Sequence, residues 1–223
     1  MLLLLLILLL APAILALRGR DIVIVVDASS YVGTDAIHEE HAVFSLMRNY
    51  TRDGDYVSLF VSRGDELLEV LTDTTDRAAV VDKACEELHD LQGEGVRAYE
   101  MFARANGVFS LLARGHQIPV RDPELFLVSN GLSPSVGHDE SALALLQTLH
   151  HHWGCRTSVV ISTNGNPVQR ANLVRMARAG SGRTYATKRG HGPYEIVDVV
   201  FGRGERTVRF HRVAEAEWFA NVL

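Results

Sequence analysis

Cysteine is nearly missing from this chain: there are two in 223 residues, Cys85 and Cys155. That scarcity excludes a disulfide-built scaffold, which needs several bridges in a short chain. The two could form one bridge in an oxidising compartment or stand as separate buried thiols. Spacing alone does not choose between these, because bridging depends on the Cα separation. A basic excess is missing too. Lys and Arg number 22 against 27 Asp and Glu, for a formal net charge of -5, so the cationic face of a nucleic-acid-binding protein is not expected. There are no internal repeats, no low-complexity tract after the leader and no linker long enough to split the chain. After the leader, no stretch approaches the roughly 20 apolar residues that a membrane-spanning helix needs.

What is present begins with that leader. Residues 1–17 are almost wholly apolar and Leu-rich, interrupted by Pro12 and followed by Arg18 and Arg20. The run is short for a spanning helix, and Ala11-Pro12-Ala13 has the small-x-small form of a signal-peptidase site, with Ala16 as a second candidate. A secretory signal peptide is expected over 1–17, although no Lys or Arg precedes its core; a retained signal anchor is the alternative. Residues 18–223 then form one domain, secreted or on the extracellular face of a membrane. In that compartment the sequon Asn49-Tyr50-Thr51, at the end of a predicted helix, makes Asn49 a candidate glycosylation site.

The central motif is Asp21-Ile22-Val23-Ile24-Val25-Val26-Asp27 followed by Ala28-Ser29-Ser30-Tyr31. The apolar run reads as a strand buried on both faces. It delivers a carboxylate and a hydroxyl to the loop at its carboxyl end, where open α/β sheets usually hold ligands. Oxygen donors of this kind suit a hard divalent cation.

Further along, a helix is expected from Thr34–Asp35 to Tyr50, then a hairpin of Tyr56–Ser62 and Glu66–Leu71. Asp73 or Asp76 is expected to cap a helix running to about Leu91. A helix with Ala98, Phe102, Ala105, Phe109 and Leu112 on one face follows. Then come a strand at Leu125–Val128 ending in the turn Ser129-Asn130-Gly131, a helix at Ser141–His151, a strand at Thr157–Ser162, a helix at Gln169–Ala179 and a short strand at Thr184–Thr187. Ile196–Phe201 reads as helical or extended, and Thr207–Val213 as an edge strand. Apolar strands alternating with amphipathic helices specify an α/β fold: an open, mainly parallel central sheet with one antiparallel edge strand and helices on both faces.

The ordered set formed by Asp27-Ala28-Ser29-Ser30-Tyr31, Asp55-Tyr56-Val57, Leu125–Gly131, Arg156–Ser162, Asn172–Ala177 and Gly182–Tyr185 resembles the von Willebrand factor type A domain over about residues 20–200. The last two stretches are most similar to the A domain of calcium-channel alpha-2-delta subunits, where that domain lies inside a much longer chain; this chain would be a fragment or a free-standing relative. The resemblance implies a Rossmann-like sheet and a protein-binding, adhesion-type role without catalysis. The family's metal-ion-dependent adhesion site uses Asp-x-Ser-x-Ser, a distant Thr and the Asp of an Asp-Gly pair. Asp27 and Ser29 match. Tyr31 stands at the third position, Val96 or Arg97 at the Thr, and Asn130 at the last Asp. The implied site is therefore degenerate: no cofactor is required, and Asp27, Ser29 and Asn130 could hold Mg or Ca only weakly, because ligand charge largely sets affinity. Asp27 and Ser29 would otherwise bond loop backbone. The expected partner is a protein or extracellular-matrix component, or a membrane channel complex, with no nucleic acid.

Three further patterns carry alternatives. Arg63-Gly64-Asp65 is the tripeptide that integrins bind, on a predicted hairpin tip; a solvated turn chosen for its Gly is the favoured explanation. His150-His151-His152 looks like a metal tract, but consecutive helical residues point about 100° apart, and a helix C-terminus favours His by its negative dipole end. Ser29, Ser30, His38 and His41 suggest a secreted hydrolase, yet the Gly-x-Ser-x-Gly elbow is absent.

Overall fold

Strand β1, Asp21–Asp27, is buried at every residue, and its side chains divide between two cores by simple alternation. Val23 and Val25 face one layer; Ile22, Ile24 and Val26 face the other. The computed structural model describes residues 19–27, 42–43, 46–52, 54–63, 66–74, 98–115, 120–129, 140–162, 167–190 and 192–198. Its remaining strands are β2 (Tyr56–Arg63), β3 (Glu66–Thr74), β4 (Glu124–Ser129), β5 (Arg156–Ile161), β6 (Ser181–Gly190) and β7 (Gly192–Asp198). Its long helices are α1 (Ala98–Gly115), α2 (Glu140–Trp153) and α3 (Pro167–Ala179).

The sheet runs β3-β2-β1-β4-β5-β6-β7. Strands β2, β1, β4, β5 and β6 are parallel, while β3 and β7 pair antiparallel to β2 and β6. The antiparallel edge expected from the hairpin is β3. A second antiparallel edge, β7, occupies the segment around Ile196 whose pattern suited helix or strand; the antiparallel return from β6 resolves it as extended. Strand β3 also runs to Thr74, which faces Val57. Asp73 therefore lies inside a strand, not at a helix cap, and Asp76 lies outside the described residues, as do the cap residues Thr34 and Asp35 and the expected strand Thr207–Val213.

Helices α1–α3 cover one face. The stripe Ala98, Met101, Phe102, Ala105, Phe109 and Leu112 of α1 meets Val23, Val25, Phe60, Leu125 and Leu127, with Leu146 and Leu149 of α2 and Leu173 and Met176 of α3 completing the layer. Burying each large apolar side chain contributes about 1.5–3 kcal/mol. On the other face Ile22, Ile24, Val26, Phe126, Val128 and Val160 pack with Ala42, Val43, Leu46 and Met47. There the helical segment ends in a π-helical turn, Leu46–Tyr50. The Thr51 amide donates back to the Leu46 carbonyl at 3.2 Å, and the Thr51 hydroxyl donates to the Met47 carbonyl. Among the described residues, no helix is long and apolar enough to cross a membrane.

Candidate functional site

Strand order reverses between β1 and β4: the chain builds β2 and β3 on one side of β1 and β4 to β7 on the other. Such a switch point opens a crevice at the carboxyl ends of the strands, because the flanking connections diverge to opposite sides. Asp27 is the last residue of β1, and it pairs in register with Ser129, the last residue of β4. Alternation turns both side chains toward the face covered by α1–α3, and the Ser129 hydroxyl donates to Asp27 Oδ2 at 2.9 Å. Ser62 stands one residue beyond the Val61–Val26 pair on β2. The Ser162 amide donates to the Ser129 carbonyl at 3.0 Å, tying the end of β5 to the same rim. The strand ends at this rim thus carry small oxygen-bearing residues, Ser62, Asp27, Ser129 and Ser162, all buried, with Ser162 joined to it through its backbone amide.

Asp27 and Ser129 come together here; Ser29 and Asn130 lie outside the described residues, as do Ser30, Tyr31, His38, His41, Val96 and Arg97. The sequence pattern places Ser129 in a turn, whereas the structure makes it the last residue of β4. The signal that it belongs to the rim is the closing position of its apolar run, which matches the place of Asp27 in β1. Asn49 falls in the π-helical turn. Arg63 ends β2 and faces Glu66 of β3, while Gly64 and Asp65 lie outside the described residues. The three His residues close α2. His150 is half-buried with Nδ1 3.1 Å from the Cys155 carbonyl, while His151 and His152 are exposed. Cys155 is a free buried thiol and is not bridged; Cys85 lies outside the described residues. Burial pushes the Cys155 thiol up to about 12.

The donor set at the rim is hard and suits Mg, Ca or Mn in type. It is poor in charge, and the Asp27 side chain is wholly enclosed, whereas Mg keeps several waters when it binds protein. Among the described residues, no three His, Cys, Asp or Glu side chains converge as a metal cluster.

Among the described residues, the densest charge lies at the opposite pole, around the amino ends of the strands. Arg20 bonds Asp55 at 2.7 Å, Glu124 at 3.3 Å and the Tyr50 carbonyl at 2.7 Å, with its guanidinium 4.5 Å from the Tyr50 ring centre. Arg156 bonds Glu124 and Asp122, the Tyr50 hydroxyl donates to Glu124, and Arg121 pairs with Asp21 at 3.1 Å. Burial and then the bond to Glu124 raise the Tyr50 hydroxyl far above its ordinary range. Burial opposes the charge on Arg20, but Asp55 and Glu124 outweigh it, and its pKa rises.

No sequence family matches the chain, and no characterised protein matches it at the sequence level. Solved structures do match. The conserved hypothetical protein BatB from Bacteroides thetaiotaomicron superposes with a TM-score of 0.59 at 15% identity, over 77% of this chain and 92% of that one. A von Willebrand factor type A structure from Catenulispora acidiphila gives 0.54 at 18% identity, over 77% and 39%. Proximal thread matrix protein 1 from the mussel byssus, with zinc in its adhesion-site motif, gives 0.51 at 13% identity, over 76% and 41%. At these identities the likeness establishes the fold, which is that of the von Willebrand A domains.

Proposed function

We propose that this chain is a non-catalytic protein-interaction module of the von Willebrand A type that binds its partner through the rim at the carboxyl ends of β1 and β4, with an adhesion-site motif that no longer depends on metal. The observation that carries this reading is Asp27 at the topological switch point, enclosed and hydrogen-bonded to Ser129. A carboxylate already committed to a protein donor and shut from solvent offers a hydrated cation little. The leader supports secretion or display outside the cell, where Asn49 would carry a glycan and the Arg63-Gly64-Asp65 turn would add to the contact surface. A matrix protein with the same fold supports an extracellular partner. The narrower alpha-2-delta resemblance names a membrane channel complex as the partner to test first. Co-precipitation from detergent-solubilised channel preparations, with purified matrix proteins as the other arm, separates the two.

The second reading keeps a weak Mg or Ca at Asp27, Ser29 and Asn130, and the zinc-bound neighbour favours it. Thermal melts during Mg, Ca and Mn titration decide. The metal-independent module shows no saturable rise in Tm and keeps partner binding in EDTA, while Ser29→Arg or Asn130→Arg weakens that binding at least tenfold. A saturable rise that Asp27→Ala abolishes would replace the first reading with the second. Absence of labelling by a fluorophosphonate probe checks the non-catalytic assignment at Ser29 and Ser30.

A further inference from the structure

The tripeptide Asn49-Tyr50-Thr51 is built into the fold, whereas a glycan acceptor of this pattern is ordinarily a surface loop. Its first two residues close the π-helical turn Leu46–Tyr50, and the Thr51 amide continues that turn by donating to the Leu46 carbonyl at 3.2 Å. Thr51 is 5% exposed, and its hydroxyl donates to the Met47 carbonyl. Tyr50 is held by the segment before β1 and by β4. Its carbonyl accepts from Arg20 at 2.7 Å, and its ring lies 4.5 Å from that guanidinium and edge-on to Phe126 at 4.9 Å. Its hydroxyl donates to Glu124. Just beyond, the Arg52 amide donates to Asp55 Oδ2 at 2.9 Å.

An enzyme that adds an oligosaccharide at such a tripeptide reads two positions together, the Asn amide and the Ser or Thr hydroxyl two residues on. Side chains two apart project to the same side of an extended chain and to nearly opposite sides of a helical turn. A usable acceptor is therefore an extended segment with an available hydroxyl. Here the backbone is helical through residues 49–50, and the Thr51 hydroxyl is already donated inside a buried turn. Opening the segment means breaking the bonds to Leu46 and Met47 and drawing Tyr50 away from Arg20 and Glu124.

We infer that Asn49 is a modification site gated by folding: it accepts a glycan only before Arg20, Tyr50 and Glu124 come together, and the native fold is closed to the transferase. The step joins Asn49 Nδ2 to C1 of the first sugar of a lipid-diphosphate-linked oligosaccharide. The bond from C1 to the diphosphate oxygen breaks, the lipid diphosphate leaves with that electron pair, and the amide gives up one proton. The gate has an order along the chain. The two bonds of Thr51 stay within one turn, but Glu124 lies 74 residues beyond Tyr50. The turn is thus not locked until β4 has been made and set beside β1. The inference rests on the reading of Asn49 as a glycan acceptor in a secreted chain, and it adds the stage of folding at which the acceptor is open.

The test supplies purified oligosaccharyltransferase and lipid-linked oligosaccharide to the unglycosylated full chain and to a peptide of residues 44–56, and follows the mass of each. The peptide is expected to gain the glycan faster than the native chain by about tenfold or more, because the native chain reacts only through its locally opened fraction. Asn49→Gln should gain none. Tyr50→Phe keeps the tripeptide pattern and removes the bond to Glu124, and Arg20→Ala removes the hold on the Tyr50 carbonyl. Each should speed modification of the full chain by about threefold or more, the loss of one such bond, under conditions where circular dichroism shows it folded. A native chain modified as fast as the peptide would overturn the gate and leave Asn49 an acceptor. Rates unchanged in both variants would overturn Arg20 and Glu124 as its lock. A peptide left unmodified would overturn the acceptor reading itself. None of these outcomes depends on secretion, which recovery of the chain from the medium of expressing cells checks separately.

Discussion

Cys155 sits against the start of β5 with its thiol enclosed, and burial, more than any neighbour, sets its behaviour. In the unfolded chain a thiol ionises near pH 8.5; in the folded protein this one holds its proton up to about 12. Between these values the unfolded state has lost a proton that the native state keeps, so stability is fully present below about pH 8.5 and falls as pH rises, by up to about 1.4 kcal/mol per pH unit. Tyr50 adds in the same sense at higher pH, because its hydroxyl is raised as well. Urea unfolding from pH 8 to 11 should show this loss, and Cys155→Ala should remove about one proton from the slope. Maleimide should label Cys155 only after unfolding. Ser129 offers a second test at this scale. Its hydroxyl donates to a buried carboxylate, and such bonds contribute about 1.5–3 kcal/mol. Ser129→Ala should lower unfolding stability by that amount in urea titrations at neutral pH, since Asp27 stays enclosed and loses a donor.

At the level of elements, the β5–β6 junction depends on a missing side chain. A Cβ on Gly182 would stand 2.0 Å from the Thr157 carbonyl oxygen, a backbone atom that cannot swing away. Gly182→Ala should therefore push β6 off β5 and cost about 1–3 kcal/mol or more, the usual range for overpacking. Gly107 is the matched control: it lies inside α1 with nothing within 4 Å of a new Cβ, and Gly107→Ala should raise stability by about 1 kcal/mol through helix propensity. Differential scanning calorimetry of the pair checks both signs. Elements with strong local patterns were legible in the sequence. The apolar runs of β1, β4 and β5 and the α1 stripe were placed within a residue or two, because burial on both faces, or on one helical face, leaves a dense periodic signal. The β3 end and β7 were not. Their extents follow from pairing across β2 and β6, and the β2–β3 register shifts at Val57–Leu59 and Leu59–Phe60, which no local pattern encodes. The rim was half legible. Asp27 announced itself as a charge ending an apolar run, whereas Ser129 is a neutral residue that acquires meaning only when β4 comes to lie beside β1, 102 positions away in sequence.

Across the whole molecule, the two ends of the sheet are built on opposite plans. The rim at the carboxyl ends carries small, mostly neutral oxygen-bearing residues; the other pole is a buried ionic lattice that fastens the segment before β1 to β2 and β4 through Arg20, Asp55 and Glu124. The carboxylates there are almost sealed, with side-chain exposure of 2% for Asp55 and 4% for Glu124. Removing Arg20 strands Asp55 without the guanidinium that pairs it, a loss of about 3–5 kcal/mol for a buried pair, whereas Glu124 keeps Arg156 and the Tyr50 hydroxyl; an isolated surface pair would cost under about 1 kcal/mol. The seven residues of β1 separate this lattice from Asp27 by about 23 Å at the usual strand rise. Sites so far apart and without shared partners should act independently. In a double-mutant cycle of Arg20→Ala and Ser129→Ala, measured by urea unfolding, the two losses should add to within about 0.5 kcal/mol. Arg20→Ala should also leave partner binding at the rim unchanged while lowering Tm by several degrees. A coupling above about 1 kcal/mol would mean that β1 transmits strain between the poles, and the rim could then no longer be treated as a surface carried passively by the fold.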